Sequence, residues 1–144
     1  MTLDQILQDA AKRARFIADA TALLDAEVAR KAGFSGIAIK AGFATMKAIK
    51  PGIVPAAIEM LLPAFQPAIE PFFAEGQRVG DVAGHFTRNA SAVADALLAV
   101  TDAKAKVAKN PVLQKTYHSL RGVAHQHTAE AIPAVGRLLA AWAA

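Results

Sequence analysis

The chain contains no cysteine, which excludes disulfide scaffolds, thiolate metal sites and thiol nucleophiles. Aromatic residues are only 6% of its 144 residues, with one Trp and one Tyr. The aromatic platforms on which nucleic acids stack are correspondingly scarce. Long charge-free runs are missing too. The run Met60–Ile69, between Glu59 and Glu70, holds two prolines. A spanning helix needs roughly 20 residues with few charges, so no transmembrane segment is expected. The mean hydropathy of +0.30 reflects alanine. Asp4 and Asp9 precede the first basic residue, against the pattern of a signal peptide. A cytoplasmic location is the expectation.

Hydrophobic residues make up 54% of the chain, too many for intrinsic disorder. The length fits one domain, residues 1–144, with a core of useful size. Apolar residues recur at helical spacing throughout and never alternate long enough to argue a strand. The expected fold is all-α: a compact bundle of about six to eight helices, several of them kinked by proline.

Thr2 and Gln5 read as a capping box, and Asp9 as the cap of a helix to about Ala32. Its apolar face is Phe16, Ala20, Leu23, Leu24 and Val28. Gly33 closes it, and Ser35 is expected to cap a third helix through about Lys50. That helix is small or apolar nearly all round, so a central position is expected. Pro51-Gly52 is a stop signal. Pro63, Pro67 and Pro71 each remove a helix hydrogen bond, so residues 53–73 are expected to bend or break. Gly76, Gly80 and Gly84 suggest a hinge near mid-chain, with Asp81 capping a short helix. Asn89 or Ser91 opens the next helix, to about Lys109. Asn110-Pro111 is a cap followed by proline in the first turn. The last helix is expected to be interrupted near Gly122 and kinked at Pro133.

The two halves, 1–75 and 76–144, resemble each other weakly. Phe16, Leu23 and Asp25 match Val93, Val100 and Asp102 at an offset of 77, and Gly52 and Pro63 match Gly122 and Pro133 at 70. Such a repeat aligns Glu27, on an apolar helix face, with Lys104. The pair could meet across a pseudo-twofold, or both side chains could run along their helix edges to solvent.

The net charge is +4, and it is regional. Arg30, Lys31, Lys40, Lys47 and Lys50 occupy one span free of acids. Lys104, Lys106, Lys109, Lys115 and Arg121 occupy another. Lys40, Lys47, Lys50, Lys104, Lys115 and Arg121 are the candidate anion-binding residues, facing nucleic acid or acidic lipid. The competing reading is a solvated basic face that keeps an apolar protein soluble, and scarce aromatics weigh against nucleic acid.

Catalytic motifs are absent. No G-x-S-x-G surrounds Ser35, Ser91 or Ser119, and no phosphate-binding loop occurs. His118 and His125 lie about 10 Å apart along a helix, too far to share an ion, and the histidines are expected at the surface. His127 and Glu130 have the reverse of the di-iron Glu-x-x-His order. No metal and no cofactor is expected. The apolar surplus, on the proline stretch and on the tail Leu138, Leu139 and Trp142, needs a destination: an ordinary core, a homo-oligomer interface, or a cavity for an apolar ligand beside Ile58, Leu62, Phe65, Ile69, Phe72 and Phe73.

The runs Ile17-Ala-Asp-Ala-Thr-Ala-Leu-Leu-Asp-Ala-Glu-Val, Gly36-Ile-Ala-Ile-Lys-Ala-Gly-Phe and Lys50-Pro-Gly carry a family likeness. So do Glu70-Pro-Phe-Phe, Val93-Ala-Asp-Ala-Leu-Leu-Ala-Val-Thr-Asp and Ser119-Leu-Arg-Gly. The chain resembles small uncharacterised all-helical proteins of actinobacteria over nearly its whole length. These motifs are packing and punctuation, so the resemblance implies no catalytic residue. The expected function is a non-enzymatic, self-associating helical interaction module. The alternatives are a carrier of an apolar or amphipathic small molecule, and a binder of anionic surfaces through the basic spans 30–50 and 104–121.

Overall fold

Short polar side chains start the helices. Thr2 and Gln5 exchange side-chain-to-backbone hydrogen bonds of 3.1 and 2.9 Å. Asp9 accepts from the Lys12 amide, Asp81 from that of Gly84, and Asn110 from those of Val112 and Leu113. Each cap satisfies amides that the first turn leaves without partners. The computed structural model describes residues 1–144. It has seven helices and no strand: α1 (Leu3–Leu7), α2 (Ala10–Ala29), α3 (Gly33–Ile49), α4 (Ile53–Arg78), α5 (Val82–Arg88), α6 (Ala90–Lys106) and α7 (Pro111–Ala143).

The core is drawn from α1, the start of α2, the end of α4, α5, the start of α6 and the end of α7. Phe73, Phe86, Val93 and Ile132 are fully buried there, with Leu3 and Leu139 nearly so. Each such side chain contributes roughly 1.5–3 kcal/mol by leaving water. The Leu3 amide donates to both Glu70 carboxylate oxygens, fastening α1 to α4. Trp142 meets Phe16 edge to face at 5.6 Å and donates to Asp19, which ties the end of α7 to α2.

Both long proline-bearing helices are continuous. α4 runs unbroken through Pro63, Pro67 and Pro71, so the break that these prolines suggest does not occur. The three prolines are spaced by four and all are exposed. The carbonyls they leave unbonded, those of Glu59, Pro63 and Pro67, therefore lie along one solvent-facing stripe, where water satisfies them. α7 likewise passes through Gly122 and Pro133 without interruption. By length and composition, with a mean hydropathy of 1.2 over its most apolar window, α4 could cross a membrane. That differs from the sequence expectation. Its Leu62, Ile69 and Phe73 are committed to the core.

α3 is at the surface, not central. Only Gly36 and Gly42 are buried along it, while Phe34 is 97% exposed and Ile37 64%. Gly42 is why it docks on this side: a Cβ there would stand 2.5 Å from Leu120 Cδ1 of α7. Small residues let the backbones approach but bury little area.

Gly52, with φ of 74°, turns the chain into the start of α4, whereas the matching Gly122 lies inside α7. Glu27 is buried, yet its partner is Arg30 at 2.6 Å, not Lys104, which is exposed. Near mid-chain, Gly76 packs against Val82 and Gly80 turns the chain at φ of 74°.

Candidate functional site

The junction of α2 and α3 builds a polar cleft. α2 ends at Ala29, Ala32 is extended, and Gly33 takes φ of 73°, a left-handed conformation that glycine adopts without strain. The chain thus folds back at once. A Cβ on Gly36 would stand 2.9 Å from the Lys31 backbone, so this glycine lets the first turn of α3 press against Lys31. Lys31 is left 9% exposed, and its Nζ crosses to α7. There it donates to the His127 carbonyl at 3.3 Å and to Glu130 Oε2 at 3.2 Å.

Ser35 was expected to cap α3. Ala32 holds that position, with no side-chain cap, and the Ser35 hydroxyl meets His127 Nε2 at 3.0 Å instead. His127 is 8% exposed, against the expectation of surface histidines, and its Nδ1 has no hydrogen-bond partner. Glu130 Oε2 stands 3.9 Å from that nitrogen, beyond hydrogen-bond reach. Hydrogen bonds from Lys31 and then Gln126 hold the Glu130 carboxyl below the usual carboxylate range. Arg30 and Ala32 complete a cleft of about 310 Å³. The Ser35–His127 contact has the length of a nucleophile–base pair. The carboxylate that would orient the base is taken by Lys31, so no relay is assembled.

The outer side of α3 is apolar. Phe34, Ile37, Ala38, Ala41, Ala44, Thr45 and Ala48 are all exposed. At 3.6 residues per turn they cover an arc of roughly 120°. Lys40 and Lys47 border it on one edge only. Lys47 is tied to Asp25 at 2.9 Å and lies over the Phe43 ring.

The other sequence candidates are scattered. Lys40, Lys50, Lys104 and Lys115 are exposed and form no ion pair, whereas Arg121 grips Asp102 with two hydrogen bonds. Tyr117 also donates to Asp102, and Arg121 first and Tyr117 second lower its pKa. Among the apolar candidates, Leu62, Ile69 and Phe73 are core, Ile58 and Phe72 pack against it, and Phe65 is half-buried. An apolar cleft of about 300 Å³ lies elsewhere, lined by Met1, Ile6, Lys12, Ala141, Trp142, Ala143 and Ala144. No three His, Asp or Glu side chains are grouped so as to hold a metal ion.

Sequence reasoning missed Arg30, Lys31, Ser35, His127 and Glu130 as a set. The only local signal was Gly33 and Gly36 flanking Ser35, beside two basic residues. No curated protein and no solved structure matches the chain. Residues 3–143 match a family described as a family of unknown function, DUF6918, and the chain belongs to that family.

Proposed function

We propose that this protein is a non-catalytic helical module that self-associates through the outer face of α3. The exposed apolar arc of α3 carries the proposal. The accessible surface supports it. The chain exposes 7950 Å², whereas a folded monomer of this mass exposes about 7,100 Å². The open face of α3, with Phe34 97% and Ile37 64% exposed, contributes to the excess. Alanines at 38, 41, 44 and 48 let a second helix approach closely. Actinobacterial membership of the family is part of the same reading, and the alanine richness fits a high-GC genome.

Native mass spectrometry tests it. The expected result is a species of twice 15.1 kDa without extra mass, converted to monomer by Ile37→Glu with an unchanged far-UV circular dichroism spectrum. A wild-type chain that stays monomeric at micromolar concentration overturns the proposal. The apolar cleft at Trp142 favours a second reading, carriage of an apolar molecule, because its volume is at the lower end for ligand sites. A retained adduct of lipid-like mass, lost in Trp142→Ala, supports that reading. Exposed Lys40, Lys50, Lys104 and Lys115 support a third, contact with anionic surfaces. Retention on anionic vesicles that falls steeply with salt supports it.

A further inference from the structure

The cleft at the α2–α3 junction is rich in hydrogen-bond donors and poor in acceptors. Lys31 Nζ has three N–H groups and uses them on two partners, the His127 carbonyl and Glu130. The Arg30 guanidinium has five, and only Nη2 is engaged, by Glu27. The amide of Ser35, which lines the cleft, makes no hydrogen bond, and neither do those of Gly33 and Phe34 just before it, since no side chain caps α3 and no carbonyl reaches them. They stand at the positive end of a 17-residue helix. Against this, the wall offers one carboxylate, Glu130, which Lys31 and Gln126 already occupy.

A second observation is independent of the helix end. His127 forms part of the cleft wall, is more than nine-tenths buried, and carries the protein's one buried side-chain atom without a partner, Nδ1. When the Ser35 hydroxyl donates to Nε2, Nδ1 bears a hydrogen with no acceptor. Leaving such a group unpaired costs about 1–3 kcal/mol, and an unsatisfied group of this kind calls for a reason.

We infer that this cleft binds a small molecule through an oxyanion group, a phosphate or a carboxylate. Such a group brings only acceptors, and it matches the open Ser35 amide, Arg30 and the buried ammonium of Lys31. Where the oxyanion competes with Glu130 for Lys31, and His127 carries its hydrogen on Nδ1, the Glu130 carboxylate can close its 3.9 Å separation and accept from the orphaned nitrogen. The cleft, at about 310 Å³, exceeds a bare phosphate, so the oxyanion is one end of a larger molecule. This site does not depend on self-association, because it lies on the side of α3 turned toward α7.

The test is a ¹H–¹⁵N NMR titration of the full chain with sodium phosphate, with sodium acetate, and with sodium chloride at matched ionic strength. The expected result is saturable shifts of the Gly33, Phe34 and Ser35 amides and of the His127 ring, with phosphate or acetate but not chloride. The tighter of the two names the group. Arg30→Met and Lys31→Met should each weaken binding at least tenfold. Should either single variant fail to fold, Glu27→Gln combined with Arg30→Met keeps the test open, because it leaves no unpaired carboxylate where Glu27 is buried. Shifts no larger than those in chloride overturn the inference. So do shifts confined to Lys40, Lys104 and Lys115, or an Arg30→Met variant that binds phosphate and acetate as the wild type does.

Discussion

Replacing Gly122 and Gly136 by alanine, one at a time, is expected to move stability in opposite directions. Both glycines lie inside α7, where alanine is favoured over glycine by about 1 kcal/mol. Gly122 is exposed, and nothing lies within 4 Å of where its Cβ would be. The full gain should appear there, raising the melting temperature by about 3 °C for a chain of this length. At Gly136 the same methyl would stand 2.7 Å from Phe86 Cβ and 3.1 Å from the Ala83 carbonyl oxygen. Phe86 is fully buried, and neither atom is the tip of a flexible side chain. Overpacking of this kind costs typically 1–3 kcal/mol, which offsets the propensity gain and leaves a net loss of up to about 2 kcal/mol. Urea unfolding at one protein concentration, with unchanged m-values, reads both. A lower midpoint for Gly122→Ala would mean that α7 bends there and would refute the continuous helix. A rise for Gly136→Ala as large as that for Gly122→Ala would refute the close α5–α7 contact.

Pro67→Ala restores an amide facing the Pro63 carbonyl in α4 and should raise the urea midpoint, by about 1 kcal/mol or more in stability. A lower midpoint would show that the exposed ring contributes packing that outweighs the missing bond. Stability should also fall in acid. The carboxyls of Asp102, paired to Arg121 and Tyr117, and of Glu130, paired to Lys31 and Gln126, have folded pKa values below the ordinary ones. Groups lowered in this way stabilise the fold above the unfolded pKa, and that stability is lost as pH drops through the folded value, here below about pH 4. Asp102→Asn should therefore lower the urea midpoint at pH 7 and leave it unchanged once the carboxyls are protonated; an equal loss at both pH values would reject the ion pair as the cause.

Much of the helical frame is legible from local chemistry. Thr2, Asp9, Asp81 and Asn110 each cap through neighbours within three residues, so a sequence window contains both partners. Pro63, Pro67 and Pro71 show where such a window misleads. Their propensity argues for a break, but an exposed stripe solvates the freed carbonyls and the ends of α4 are held by packing. Ser35 misleads in the same way: it has the side chain of a cap, and its hydroxyl is taken by a residue 92 positions away.

The residue spacing alone determined an all-helical chain, because amphipathic period, capping residues and the absence of alternating strands act over one or two turns. Which face of α3 meets water was decided only in three dimensions, by whether a neighbour happens to cover a surface that is small or apolar all round. The cleft is a tertiary property too. Lys31 and Glu130 are 99 residues apart and Ser35 and His127 92, and they meet because Gly33 reverses the chain while Gly36 and Gly42 let α3 settle against Lys31 and α7. Hydrogen bonds between such distant residues leave no periodic trace along the chain, since their geometry is set by the packing of helices and not by the residues beside them.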